Sequence, residues 1–209
     1  MLTWNLETDQ LMAGQWLKGR VYEQRCDLSP SGEYVVVFAA KHKGPVPTWT
    51  AISRPPYFTA LVAFRNDFGA WGGGGLFDSE YSVSINHGSQ LVPLEGAVHP
   101  RRFAVSLLRA GRLGEDDPVR HLRMERDGWL LTSPGESTEH PYGSPIWFEF
   151  TAPRIYARKH PKRRGVRLEQ RLVGIKERDG NWYLFEHDVI GPNEERLALG
   201  RTDWADWDP

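Results

Sequence analysis

Glu186, His187 and Asp188, in the segment FEHD, are the residue types that move protons, and they sit next to one another. In an extended chain successive side chains point to opposite faces, so Glu186 and Asp188 share a face and His187 takes the other. Any acid-base chemistry is expected first at this trio. The seven histidines, His42, His87, His99, His121, His140, His160 and His187, show neither an H-E-x-x-H helix nor a His-x-His pair. No metal is therefore expected. Asp203, Asp206 and Asp208 place three carboxylates in the last seven residues, but without the glycine and distal Glu of a calcium loop. A phosphate loop over Gly72 to Gly75 would need a helix after the glycines and a Lys with a Ser or Thr at fixed offsets. The segment LFDSEYSVSIN, directly after the glycines, instead alternates like a strand. A bulge, or backbone passing tightly beside rings such as Trp71 and Phe77, is the expected role. No cofactor is implied.

A third chemistry is electrostatic. The run RKHPKRRGVR holds six Arg or Lys in ten positions: Arg158, Lys159, Lys162, Arg163, Arg164 and Arg167. Such a run can track phosphates or dock a partner, and Tyr156 beside it could stack a base. The charge is local: residues 1 to 98 carry 7 basic and 9 acidic groups, 99 to 171 carry 15 and 9, and 172 to 209 carry 4 and 9. With a formal net charge of −1 there is no global field for nucleic acid or membrane.

The elements that position these groups are mostly strands. Hydrophobic residues are 40% of the chain, with nine Trp, nine Phe and seven Tyr, so a sizeable core over a single domain of 209 residues is expected. Val21 to Leu28 reads as a strand, SPSG as a turn, and EYVVVFAA as a strand too apolar to be half-exposed, a hairpin buried on both faces. TWTAIS and YFTALVAF follow between Pro45, Pro47, Pro55 and Pro56. Later strands are PIWFEFTAPRIYARK, VRLEQRLVGIKE and NWYLFEHDVI, the last two joined by an Asp-Gly turn. Residues 99 to 128 read as a two-helix insertion. Pro100 opens the first helix, with Phe103, Leu107 and Leu108 on one face and Gly111 past its end; Asp117 caps the second, followed by Pro118 and closed by Gly128. The core is expected to draw on Val35 to Phe38, Leu61 to Phe64, Trp147, Phe148 and Leu184.

CDLSPSGEYVVVF resembles the start of a β-propeller repeat of the TolB and WD-like kind, with Ser29, Pro30, Ser31 and Gly32 at the turn. DWADWDP is similar to a second such start, Asp208-Pro209 standing for Ser29-Pro30. The resemblance covers residues 25 to 38 and 203 to 209 and brings no catalytic residues. It implies antiparallel meanders, propeller-like or an incomplete propeller; a β-sandwich or open barrel is the alternative. The ending is expected to be an edge strand or packed tail anchored by Trp204 and Trp207.

Cys26 is the single cysteine, so no intrachain disulfide forms, and nothing approaches the roughly 20 apolar residues of a membrane span. A soluble, cytoplasmic protein is expected. Its leading reading is a non-enzymatic β scaffold that binds a protein partner through loops rich in Trp, Arg and Pro, the residue types that dominate interface energetics. The alternatives are a hydrolase or nucleic-acid-processing enzyme, and nucleic-acid binding through 158 to 167, which ranks behind the protein partner.

Overall fold

The computed structural model of the chain describes residues 1–88, 90–96, 102–108, 115–141, 143–176 and 182–207. It is mainly β, with 48% of residues in strands and 7% helical, arranged in several sheets none of which closes on itself. Two compact units divide it, Met1–Arg123 and Met124–Pro209.

In the first unit β1 (Leu2–Asn5) and β2 (Gln10–Ala13) form a separate two-stranded hairpin. Next come β3 (Arg20–Val21), a 3-10 turn at Glu23–Arg25, and β4 (Asp27–Leu28), both short strands pairing with β5 (Val35–Ala40). The one strand expected over 21 to 28 is thus broken, because the 3-10 turn carries Arg25 inward. The SPSG turn forms as read, Gly32 N–H donating to Ser29 O at 2.8 Å with φ +74° at Gly32. β6 (Thr48–Ser53) and β7 (Ala60–Arg65) complete this sheet, while β8 (Gly75–Ser79), β9 (Ser82–Ile85) and β10 (Ala104–Leu107) make another. Tyr34, Val36, Ile52, Val62 and Phe64 from the first sheet meet Phe77, Val83, Ile85 and Phe103 in one apolar core. Each such side chain contributes about 1.5–3 kcal/mol by leaving water. The opposite face of β5 is covered too: Val35, Val37 and Ala39 pack against Met1, Leu17, Val21, Cys26, Trp49 and Phe58. Strand β5 is buried on both faces, as its apolar run required, whereas its partners β3 and β4 in the expected hairpin are only partly buried, Leu28 being exposed.

The tetraglycine stretch is explained by its neighbours. Gly73 lies where a Cβ would come within 2.2 Å of the Phe38 ring, and Gly74 where one would stand 2.3 Å from the Arg25 carbonyl oxygen. Close passage was expected, but the ring is Phe38 rather than Trp71 or Phe77, since β5 and the 3-10 turn supply the wall. Arg25, almost fully buried, knits this corner. Its Nη1 donates to Ala70 O at 2.6 Å and Gly72 O at 2.7 Å, its Nε pairs with Asp116, and its guanidinium stacks 4.8 Å from Tyr22 and 5.1 Å from Phe38.

The helical insertion expected over 99 to 128 is corrected in its first half. Ala104–Leu107 is strand β10, parallel to β9 with Ser106 opposite Ser84, because Phe103 is drawn into the core and alternation wins over helical spacing. Pro100 and Gly111 lie outside the described residues. The second helix is present as α1 (Asp117–Arg126), the one helix of the described residues longer than a 3-10 turn. It starts one residue before expectation: Asp116 O accepts the first helical bond, from Arg120 N–H at 2.9 Å, so Asp116 rather than Asp117 is the cap residue. Gly128, φ +83°, ends it as read.

In the second unit β11 (Trp129–Ser133) and β12 (Glu136–Glu139) both pair with the long β13 (Ile146–Lys159). The sheet continues through β14 (Arg167–Lys176), β15 (Tyr183–Ile190) and β16 (Arg196–Arg201). Met124, Trp129, Tyr156 and Leu168 form its core, joined by half-buried Val189, Ala205 and Trp207. Trp147, Phe148 and Leu184, placed in the core from sequence, are half-buried. The outermost strand, β16, is exposed at every residue and carries a bulge. His187 faces Gly200 and Asp188 faces Ala198, leaving Leu199 as the extra residue, with φ +79° at Gly200. The Asp-Gly turn at 179 and 180 lies outside the described residues.

Candidate functional site

The structure puts Glu186 and Asp188 on one face of β15 and His187 on the other. Glu186 pairs with Arg171 at 2.5 Å, while nearly buried Asp188 sits 3.1 Å from Arg171 Nε and 2.8 Å from Arg196 Nη2. His187 is fully buried. Gln170 Nε2 donates to its Nε2 at 3.0 Å, which leaves Nδ1 to donate to Thr202 Oγ1 at 2.7 Å. Register dictates these partners, since Gln170 is opposite His187 and Arg171 opposite Glu186. Each of the three is already engaged by neighbours on the sheet.

The other histidines are dispersed. His87 is buried with its pKa lowered by desolvation, His42 meets the Tyr22 hydroxyl at 3.2 Å, and His140 lies 3.2 Å from Glu149; His99 falls outside the described residues. Among the described residues no group of three His, Cys, Asp or Glu could hold a metal. Asp206 is spent on an ion pair with Arg158, and Asp208 lies outside the described residues.

Cys26 donates from Sγ to Tyr22 O at 3.1 Å, and burial pushes its thiol up to about 12. It packs as a half-buried small hydrophobe against the face of β5 that carries Val35, Val37 and Ala39. Iodoacetamide at about pH 8, near the ordinary thiol value, is expected to leave it untouched in the native protein and to modify it quickly once urea unfolds the chain. Rapid native-state alkylation, followed by mass spectrometry, would overturn that assignment.

The basic run forms the tip of the β13–β14 hairpin. Arg158 pairs with Asp206, and Arg167 with Glu169 at 2.7 Å and Glu194 at 2.6 Å, whereas Lys159, Lys162, Arg163 and Arg164 are exposed. The ending packs beside it: Trp207 Nε1 donates to Arg158 O at 3.3 Å and its ring lies 4.6 Å from that of His160. Residues 202 to 207 form a packed tail, not a strand; of its two tryptophans only Trp207 is packed, with Ala205 beside it, Trp204 being 69% exposed.

The N-terminal hairpin carries the feature that sequence reading passed over. Trp4 faces Leu11 and Leu2 faces Ala13 across β1 and β2, so the three large residues Leu2, Trp4 and Leu11 line one face. They are 66%, 56% and 68% exposed, with Leu6, Met12 and Trp16 exposed around them. An isolated hairpin is marginal in water, yet this one is fastened at its base. The Met1 ammonium donates to Gln15 O at 2.6 Å, Gln15 N–H to Pro56 O at 3.0 Å, and Gln15 Oε1 accepts from Phe58 N at 2.7 Å and Thr59 N at 3.0 Å. Farther out, Trp4 Nε1 donates to Asp9 Oδ1 at 2.8 Å, and Asn5 Oδ1 caps Glu7 and Thr8. Alternating Leu2 and Trp4, then Leu11 and Ala13 across a polar NLETDQ turn, were the legible signal.

No protein-family model matches this chain, and no curated protein or solved structure is significantly similar to it. Among the described residues no helix is long and apolar enough to cross a membrane.

Proposed function

We infer that this protein is a non-enzymatic β scaffold whose N-terminal hairpin is the contact arm for a protein partner. One observation carries the reading: a hairpin pinned at its base presents Leu2, Trp4 and Leu11 to solvent on a single face. Contiguous exposed apolar surface on a fixed element is what interfaces are made of, and Trp is among the residues most often decisive in them. The arm's charge selects the partner. Glu7 and Asp9 lie at its turn and no Lys or Arg precedes Lys18, so an anionic membrane repels it and an apolar groove with a basic rim suits it. The engaged state of Glu186, His187 and Asp188 fits a scaffold better than a hydrolase or nucleic-acid-processing enzyme. So does the propeller-type resemblance of residues 25 to 38, which carries no catalytic group.

The test is capture and identification of the partner, then titration of the purified pair by calorimetry. Trp4→Ala together with Leu11→Ser is expected to weaken binding at least about 30-fold, the value of a 2 kcal/mol anchor, with the melting midpoint nearly unchanged because both side chains are exposed. Unchanged affinity in the double variant would remove the arm from the interface.

A further inference from the structure

The tip of the β13–β14 hairpin is a second surface of different chemistry, independent of the arm. The ladder runs to the pair Lys159 and Arg167, and the loop beyond it is built rather than slack. His160 N–H donates to Val166 O at 2.9 Å, and His160 Nδ1 accepts from Lys162 N at 2.9 Å and Arg163 N at 3.1 Å. At Gly165 φ is +80°, and a Cβ there would stand 2.9 Å from Pro192.

The charges divide cleanly. At the base Arg158 and Arg167 are neutralised by Asp206, Glu169 and Glu194; hydrogen bonds from Arg167 hold the Glu194 carboxyl below its usual range. At the tip Lys159, Lys162, Arg163 and Arg164 have no ion pair among the described residues. Residues 160 to 166 also expose no large apolar side chain, only Pro161 standing fully out among the cations. A protein interface needs an apolar centre, which this tip lacks; a phosphodiester chain needs only cations at fixed spacing.

We propose that this tip binds nucleic acid through its phosphate backbone, without regard to base sequence. Lys159, Lys162, Arg163 and Arg164 make the contacts, and the His160 turn holds them in place.

The measurement is fluorescence anisotropy with a labelled mixed-sequence DNA duplex and the corresponding single strand, titrated across a salt series. Four released counterions give a plot of log K against log salt with a slope of about −3.6 for the duplex and about −2.8 for the single strand. Arg163→Glu with Arg164→Glu is expected to flatten the duplex slope to about −1.8 or less and to weaken binding more than tenfold at low salt. Both side chains are exposed and make no ion pair among the described residues, so the fold survives; Arg163→Gln with Arg164→Gln gives the same readout should the reversal fail to fold. A slope shallower than about −1 in the unaltered protein, or one unmoved by either double variant, overturns the proposal. So does displacement of the DNA by polyglutamate at equal charge concentration, which would make the tip a site for acidic polypeptides.

Discussion

Gly74→Ala is expected to lose about 3–5 kcal/mol of stability, a large share of the roughly 5–15 kcal/mol that holds a typical domain folded. Two costs add. At φ +81° an alanine pays about 1–2 kcal/mol for a left-handed backbone, and its Cβ would stand 2.3 Å from the Arg25 carbonyl oxygen and 2.5 Å from Arg25 Cβ. These atoms belong to a 3-10 turn held on both sides, so they cannot step back cheaply. Cys26 N–H donates to Glu23 O at 3.1 Å and Arg123 donates to the carbonyls of Glu23 and Cys26. Gly74 N–H also donates to Thr50 Oγ1 at 2.9 Å, a bond that any displacement breaks. Gly32→Ala is the control: its φ is +74° but nothing stands within 4 Å of the added Cβ, so only the backbone term remains, about 1–2 kcal/mol. Urea unfolding followed by Trp fluorescence reads both. Equal losses at Gly74 and Gly32 would mean that the contact with Arg25 is not what makes glycine necessary.

Arg25→Met is expected to cost about 3–5 kcal/mol, the range for removing one member of a buried ion pair. Methionine keeps much of the volume and can still touch Tyr22 and Phe38, so the loss isolates the guanidinium. Without it the carbonyls of Ala70 and Gly72 lose their donor, and Asp116, 14% exposed, loses its cation at the start of α1. The outcome is read as a lower urea midpoint with an unchanged denaturant slope. A loss under about 1 kcal/mol would place Arg25 with exposed ion pairs, which contribute little.

These two positions show what could and could not be read from the residues. VVVFAA was legible as a doubly buried strand because an unbroken apolar, β-branched run allows little else, TWTAIS as a strand by its bracketing prolines, and α1 because Pro118 and Gly128 frame it. The strand at 104 to 107 was misread as helix: four residues after a proline fit either period, and only the tertiary placement of Phe103 decides between them. β1, β2, β11, β12 and β16 were missed, the last because Arg196 to Arg201 has a glycine and no β-branched residue. That GGGG needs close passage was legible; that Arg25 is the neighbour was not, since a charged residue is the last expected in a core until its partners are known. Nine Trp are equally compatible with core and surface, and the structure divides them. Trp129 is buried and Trp4, Trp16, Trp71 and Trp204 are largely exposed. Of the candidate functional residues, the cation run was visible by composition, whereas the neutralisation of its base depends on Glu194 and Asp206 arriving from elsewhere along the chain, with Glu169 two residues from Arg167.

The bulge at Leu199 bears on how this protein behaves in a crowded solution. An edge strand exposed along its whole length, with Leu197 64% exposed, is a template on which strands of other molecules can grow into aggregates. The extra residue and the left-handed Gly200 interrupt the regular row of donors and acceptors, so an incoming strand finds only a short stretch in register. A backbone irregularity at the outermost strand thus shortens the regular edge open to a strand from another molecule.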